Sequence, residues 1–242
     1  MNLAAQFDSV RKQIDTACAR AGRDPGTVGL LVVTKGHPPE VVRAAADLGH
    51  RLFGENRVQE AKGKIEQCPG DLHWHMIGHL QTNKCRDAVQ LFEMIQSIDS
   101  LHLAQEIDKW ADKFSKRLPI LLEVNLAGES TKFGFKPDAL LTNIAGINTL
   151  KRIEIHGLMT IAPWTREPEK VRPVFRQLRE LRQKCEAVVG APLPHLSMGM
   201  SSDFEVAIEE GATIIRLGTL LLGPRGQAKN AAKTKDGPSK AY

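Results

Sequence analysis

The sequence predicts an α/β fold, specifically a TIM or (β/α)8 barrel, and three observations support this. Eight short apolar segments alternate with helical segments along 242 residues, which matches the length and order of eight β/α units. The first apolar segment, residues 28–34, is nearly continuous, as expected of a parallel strand buried on both faces. The turn after it, Thr34-Lys35-Gly36-His37-Pro38, lacks the G-x-G-x-x-G pattern. This disfavours a doubly wound sheet, which is the alternative fold.

One helix precedes the eight units. Apolar residues from Leu3 to Cys18 recur at spacings of three and four, which predicts an amphipathic helix that ends at Gly22. The strands are predicted at residues 28–34, 51–54, 72–78, 94–98, 120–124, 153–161, 195–199 and 213–217. The helices between them are predicted to begin near residues 38, 58, 82, 100, 138, 171 and 202. No linker divides the body, so we expect one domain over residues 1–224 and a flexible basic tail over 225–242.

Composition and charge disfavour several classes of protein. The net charge is +5, but residues 225–242 hold five basic residues and one acidic residue, so the remaining body is nearly neutral. Aromatic residues make up only 5% of the chain, which leaves no evident platform for stacking nucleic-acid bases. No apolar stretch approaches the roughly 18 residues of a membrane span, and the first residues lack the apolar run of a signal peptide. Four widely spaced cysteines form no C-x-x-C pair, so we expect a cytoplasmic protein without disulfides, nucleic acid or membrane partners.

Lys35 is the candidate reactive residue. By the two-residue period of a strand, Gly29, Leu31, Val33 and Lys35 share one face. If that face points inward, the Lys35 amine lies at the carboxyl-terminal mouth of the barrel, where active sites of this fold form. A desolvated lysine can act as a Schiff-base nucleophile. The alternative is that Lys35 has left the strand and is simply solvated.

A second candidate site lies near the end of the chain. Ser202 and Glu205 fit an S-x-x-E capping box, which predicts a helix that begins at Ser202 with backbone N–H groups open to the preceding loop. Strand eight ends in residues 216–219, RLGT, where glycine permits close approach and a hydroxyl suits a phosphate. Loops after strands seven and eight form the usual phosphate site of this fold, although ordinary turn chemistry explains the same residues. Because strands one and eight are neighbours in a closed barrel, lysine and phosphate site together suggest pyridoxal 5′-phosphate (PLP).

Six motifs carry a family resemblance. They are VTKGHPPE from Val33, FGENRVQE from Phe53, WHMIGHLQTNK from Trp74, IHGLMTI from Ile155, LSMGMSSD from Leu196 and IRLGTLLLG from Ile215. In this order they resemble the pyridoxal phosphate homeostasis protein family, which is similar to the barrel domain of alanine racemase. Gly36-His37 and Thr82 depart from the residues that the family often has there, which affects details of the pocket rather than Lys35. The tail after Arg225 lies outside the resemblance.

The resemblance implies a PLP-binding barrel of fold type III in which Lys35 carries the cofactor as a Schiff base. The implied cofactor-binding residues are Lys35, Asn56, Met200, Ser201, Arg216, Gly218 and Thr219. Among them, Ser201, Gly218 and Thr219 would hold the phosphate, and Arg216 would face the pyridine nitrogen. The implied function is intracellular vitamin B6 homeostasis without an established catalytic reaction, with PLP-dependent apoenzymes as recipients of the cofactor. We expect the protein to act as a monomer.

Two enzymatic functions stay open as alternatives. An amino-acid racemase needs an acid–base group on each face of its substrate. In the racemases that this barrel resembles, the second group is a tyrosine from an added β domain, whereas the only tyrosine here is the terminal Tyr242. The other alternative is a barrel without PLP that uses Lys35 for an aldolase-type Schiff base.

Two further groups of polar residues carry hypotheses. His73, His75 and His79 share strand parity, so a zinc site is conceivable, although core or loop histidines are the simpler interpretation. Glu123 and Asn125 share a face near the mouth of strand five. They could contact polar groups of a ligand or form structural hydrogen bonds.

Overall fold

Eight parallel strands close into a barrel in a computed structural model that describes residues 2–129 and 132–224. Each strand pairs with its neighbours in chain order, and β8 pairs back with β1. The strands are β1 (Gly29–Val33), β2 (Leu52–Glu55), β3 (His73–Met76), β4 (Met94–Ile98), β5 (Leu118–Glu123), β6 (Ile153–Met159), β7 (His195–Ser197) and β8 (Ile214–Leu217). The predicted TIM barrel is confirmed, and the closed sheet excludes the doubly wound alternative.

Helices surround the barrel on its outer face. They are α1 (Leu3–Arg20), α2 (Pro39–Asp47), α3 (Val58–Ile65), α4 (Cys85–Leu91), α5 (Leu101–Lys113), α6 (Pro137–Asn148), α7 (Arg172–Val189), α8 (Phe204–Glu209) and α9 (Thr219–Leu222). The leading helix α1 buries Phe7, Val10 and Ile14, as its periodicity predicts, and packs against α8 and α9. The predicted tail, residues 225–242, lies outside the described residues.

Two apolar clusters stabilise the fold, one on each side of the sheet. The inner cluster fills the barrel with Leu31, Val33, Ile77, Met94, Leu121, Met159 and Ile214. The larger cluster lies between strands and helices, and it includes Val32. Leu31 and Val33 therefore face inward while Val32 faces outward, which is the alternation expected along a strand. Lys35 lies two positions after Val33, in the turn that follows β1.

The sequence-based boundaries are wrong at several element ends. A 3-10 turn occupies Thr82–Lys84, and α4 begins only at Cys85. The predicted capping box is also wrong. Helix α8 begins at Phe204, and Glu205 pairs with Arg20 instead of turning back to Ser202. The short helix α9 after β8 has no counterpart among the predicted elements.

Two properties of the described residues bear on the predicted class of protein. None of the helices in residues 2–129 and 132–224 combines the length and apolarity needed to cross a membrane. Cys18, Cys68, Cys85 and Cys185, which are all the cysteines of the chain, are unpaired thiols. Disulfides therefore contribute nothing to the stability of this barrel.

Candidate cofactor site at the carboxyl-terminal mouth

Lys35 lies in the turn that follows β1, at the carboxyl-terminal mouth of the barrel. Its side chain is half-buried, whereas the neighbouring Thr34 is fully buried. The register of the closing strand pair aligns Leu31 of β1 with Arg216 of β8. The turn that carries Lys35 and the strand that carries Arg216 are therefore neighbours, as the sequence predicts from barrel closure.

Arg216 lies inside the barrel with only 5% of its surface exposed. Its Nη1 donates to Ser197 Oγ at 2.7 Å, and its Nη2 donates to the Thr160 carbonyl at 2.8 Å. Burial lowers the pKa of Arg216 to about 10, against the opposing effect of the Glu123 and Asp203 carboxylates. The guanidinium is therefore still protonated at neutral pH, and two hydrogen bonds fix its plane.

A chain of hydrogen bonds extends from Arg216 across the barrel interior. Ser197 Oγ donates to Gln96 Oε1 at 2.6 Å, and Gln96 Nε2 donates to His75 Nδ1 at 2.9 Å. Burial, followed by the His195 and His73 rings, lowers the pKa of His75 to about 4, so His75 is neutral and can accept. These side chains come from β3, β4, β7 and β8, and their hydrogen bonds inside the barrel fix the orientation of the guanidinium.

The loops after β7 and β8 come together beside Lys35. Gly199 adopts φ +93°, and a Cβ there would lie 2.6 Å from Ala207 Cβ, so this bend requires glycine. The bend presents Ser201, whose Oγ accepts from the Leu220 N–H of α9 at 3.4 Å. A Cβ at Gly218 would lie 3.1 Å from the Val33 carbonyl oxygen, so the β8 loop approaches β1 closely. The predicted phosphate residues Ser201, Gly218 and Thr219 thus belong to one cluster, and Thr219 is exposed.

Asp203, which sequence reasoning did not single out, shapes the same loop. Its Oδ1 accepts from the Met200 N–H at 2.7 Å, and its own N–H donates to the Met200 carbonyl at 3.1 Å. This reciprocal pair replaces the predicted capping box and fixes Met200, which is partly buried beside Ser201. Burial raises the pKa of Asp203, although the Met200 N–H and the Arg216 charge oppose the shift.

Asn56 follows β2 on the other side of Lys35. Its Oδ1 is buried and accepts no hydrogen bond from the described residues. A Cβ at Gly78 would collide with the Asn56 backbone, so these two loops touch at the mouth. A buried amide edge without a partner is suited to a polar ligand. The Asn56 oxygen as acceptor, the Lys35 amine and the Arg216 guanidinium as donor together fit a phosphorylated pyridine aldehyde such as PLP.

Glu123 and Asn125 have different surroundings. Glu123 at the end of β5 is 6% exposed. Burial raises the pKa of Glu123 to about 7, the Asp99 charge adds to the shift, and the Arg216 charge opposes it. The Asn125 side-chain nitrogen instead donates to the Glu129 and Lys132 carbonyls at 2.9 and 3.1 Å, while its buried Oδ1 accepts no hydrogen bond from the described residues.

The three histidines of the zinc hypothesis lie apart and have other partners. His73 contacts Glu93, His75 contacts Gln96, and His79 contacts Asp99 and stacks on Phe133. Within residues 2–129 and 132–224, no group of three or more histidine, cysteine, aspartate or glutamate side chains could hold a metal ion. Each of the three histidines therefore has its own side-chain partner among the described residues.

Comparisons with known proteins agree with this geometry. The family model described as alanine racemase, N-terminal domain, matches residues 6–226. A pyridoxal phosphate homeostasis protein of Aquifex aeolicus is 47% identical over 226 residues, which cover 93% of this chain and 99% of the relative. Another of that name from Pseudomonas aeruginosa is 40% identical, with 92% and 96% covered.

Solved structures give the same result. PipY of Synechococcus elongatus is 37% identical and superposes with a TM-score of 0.84 without PLP and 0.82 with PLP bound, covering 92% of this chain and all of PipY. Alanine racemase of Clostridium difficile shares the fold at a TM-score of 0.67, with 15% identity, and 57% of that chain is covered. The chain belongs to the pyridoxal phosphate homeostasis protein family, within the larger group that has the alanine racemase N-terminal barrel.

Proposed function

We propose that this protein binds PLP at the carboxyl-terminal mouth of its barrel and takes part in vitamin B6 homeostasis by carrying the cofactor. The observation that carries the proposal is the convergence of the Lys35 turn, the buried Arg216 and the Ser201–Gly218 cluster on one mouth. PipY, a relative of 37% identity that aligns over its full length, supports the assignment because it has been solved with PLP bound.

Each part of the site would contact a different part of the cofactor. Lys35 would hold PLP as a Schiff base, which forms when the amine condenses with the cofactor's aldehyde and releases water. Ser201, Gly218 and Thr219 would bind the phosphate through hydroxyl and backbone N–H groups. Met200 would line the pocket.

Asn56 and Arg216 would address the ring. The buried Asn56 amide would hydrogen bond to a polar substituent of the pyridine. Arg216 is a donor only, so it would donate to the pyridine nitrogen and keep that nitrogen without a proton. When bound, PLP supplies an electron sink for amino-acid chemistry, and a pyridine that lacks its proton is a weaker sink. This arrangement favours holding the cofactor over using it.

We further propose that the protein acts as a monomer in the cytoplasm, with PLP-dependent apoenzymes as recipients. The four unpaired thiols support a reducing compartment. A slow racemase-like reaction is the alternative function. The chain's only tyrosine, Tyr242, is its last residue, so the acid–base tyrosine of a two-base racemase has no candidate within the barrel.

Titration of the purified protein with PLP tests the proposed function. Wild type should develop the visible absorption of an internal imine at about one equivalent of PLP, and Lys35→Ala should not. Lys109→Ala is a suitable control because Lys109 lies on the exposed surface of α5, where it pairs with Glu106. If Lys35→Ala developed the same visible absorption as wild type on addition of PLP, the proposed site would be contradicted.

A further inference from the structure

The turn that carries Lys35 is held from both sides by three charged residues. These are Glu55 at the end of β2 and Glu60 and Lys64 on α3, which we call the clamp. On one side, Thr34 Oγ1 donates to Glu55 Oε1 at 2.5 Å, and Lys64 Nζ donates to the Thr34 carbonyl at 2.8 Å. On the other side, the Gly36 N–H donates to Glu60 Oε1 at 2.5 Å.

Lys64 connects the two sides. Its ammonium group donates to Glu55 Oε1 at 2.5 Å and to Glu60 Oε1 at 3.0 Å. One lysine side chain thus joins the residue before Lys35 to the carboxylate that holds the residue after it. The backbone on both sides of Lys35 is fixed by a single hydrogen-bonded cluster.

Two of the three charged residues of the clamp are buried, which is unusual for charged side chains. Glu55 is 0% exposed and Lys64 is 4% exposed. Burial raises the pKa of Glu55, and the Lys64 and Thr34 hydrogen bonds oppose this. A buried ion pair adds little net stability, because loss of hydration offsets the attraction between the charges. A cluster of this kind is more readily explained by the geometry that it imposes than by the stability that it contributes.

We propose that Glu55, Glu60 and Lys64 are positioning residues that set the direction of the Lys35 side chain toward the mouth of the barrel. This inference rests on the proposed function, because it concerns the residue that attaches PLP. The clamp acts through the Lys35 backbone and not by contact with the cofactor. A misplacement of about 1 Å at a reacting group can reduce a rate by about 100-fold.

Three variants of α3 distinguish the effect of the clamp from a general effect of changing this helix. Glu60→Ala removes the carboxylate that accepts from Gly36, at a position that is only partly buried and therefore tolerates truncation. Lys62→Met, two residues before Lys64 on the same helix, changes an exposed charge that is remote from the turn and serves as the matched control. Glu60→Gln keeps an oxygen that can accept from Gly36 and serves as the conservative rescue.

The first measurement needs no cofactor. Amide hydrogen exchange of the apoprotein should show that Gly36 exchanges about 10-fold faster or more in Glu60→Ala than in wild type, with Lys62→Met unchanged and Glu60→Gln largely restored. Equal Gly36 exchange in wild type and Glu60→Ala would overturn the clamp. This result stands even if the protein were found to bind no PLP.

The second measurement follows covalent capture. The rate constant for imine formation should fall about 10- to 100-fold in Glu60→Ala and stay unchanged in Lys62→Met. In a Lys35→Ala background, where PLP binds without the covalent bond, adding Glu60→Ala should change PLP affinity by less than about 2-fold. If Glu60→Ala instead lowered PLP affinity in that background by about 10-fold or more, Glu60 would act on the general shape of the pocket. That result would contradict a role through Lys35. Absence of capture in wild type would instead contradict the proposed function.

Discussion

Arg216 Nη1 lies 2.7 Å from Ser197 Oγ, and this buried contact connects the guanidinium proposed to face PLP to the interior of the barrel. Ser197 passes the connection to Gln96 through a 2.6 Å hydrogen bond. A guanidinium that is fixed in this way can meet a planar heterocycle at one defined angle. The proposed role of Arg216 therefore depends on Ser197 and Gln96 as well as on the residues proposed to contact PLP.

Ser197→Ala should destabilise the protein and weaken PLP binding together. The substitution removes an acceptor from a buried charged donor, which costs about 1–3 kcal/mol of unfolding free energy. Urea denaturation measures this loss, and PLP titration measures the affinity. Thr142→Ala removes an exposed hydroxyl of α6 and should change neither quantity appreciably. A Ser197→Ala protein with wild-type stability and affinity would show that Arg216 does not need this contact.

Glu123→Gln should make stability less sensitive to pH. The folded pKa of about 7 lies above the ordinary pKa of an unfolded glutamate, so the folded state holds its proton more tightly. The favourable contribution is complete below about pH 4 and is lost as the pH rises through 7. Two charged groups act on Glu123: the Asp99 charge raises its pKa, and the Arg216 charge lowers it.

The test compares unfolding free energies at pH 5 and pH 8. The difference in unfolding free energy between Glu123→Gln and wild type should favour the variant more at pH 8 than at pH 5, by roughly 2–3 kcal/mol. The exposed Gln177 on α7 provides the control, since Gln177→Ala removes no titratable group and should shift the unfolding free energy equally at both pH values. If Glu123→Gln also changes the unfolding free energy equally at pH 5 and pH 8, the Glu123 carboxyl does not titrate in this range.

Thr219→Val should weaken binding of PLP more than binding of pyridoxal. The substitution removes the hydroxyl and nearly keeps the shape of the side chain. A hydrogen bond to a charged phosphate contributes about 1.5–3 kcal/mol, so PLP affinity should fall by about 10-fold or more. Equilibrium titration with both ligands gives the comparison. A similar loss for PLP and unphosphorylated pyridoxal would mean that Thr219 does not contact the phosphate.

The loaded protein should show negligible racemase, transaminase or decarboxylase turnover. Arg216 stays protonated at neutral pH, so a pyridine nitrogen held against it would have no proton and the ring would withdraw electrons weakly. Proton exchange at the α-carbon of an amino-acid panel in deuterated water measures this, with free PLP as the reference. Rapid exchange that disappears in Lys35→Ala would overturn the non-catalytic role, and a pyridinium signal in nitrogen NMR would contradict the role of Arg216.

The sequence predicts the barrel and the position of Lys35 because both depend on local patterns. Leu31 and Val33 lie in the inner cluster and Val32 lies in the outer one, and the same two-residue period predicts an inward direction for Lys35. The capping box failed because Glu205 has a partner 185 residues away, the guanidinium of Arg20, which no local motif reveals. The S-x-x-E pattern is present in the sequence, but the ion pair of Glu205 with Arg20 prevents Glu205 from capping the helix at Ser202.

Long-range contacts also hid the supporting residues. Gln96 and Ser197 are 101 residues apart and meet only after the barrel closes. Lys64 belongs to a helix that is polar in sequence, where a lysine is expected at the surface. The packing of α3 against the β1 turn buries it instead, and this arrangement depends on tertiary structure.

Borohydride reduction of the PLP-loaded protein, followed by peptide mass mapping, identifies the lysine that holds PLP. Reduction converts an imine into a stable amine, so the attached pyridoxyl phosphate group marks the lysine that held the cofactor. We expect the added mass on the peptide that contains Lys35, at a stoichiometry near one per chain, and none on Lys64. A pyridoxyl group attached mainly to another lysine, or no trapped group at all, would contradict this expectation.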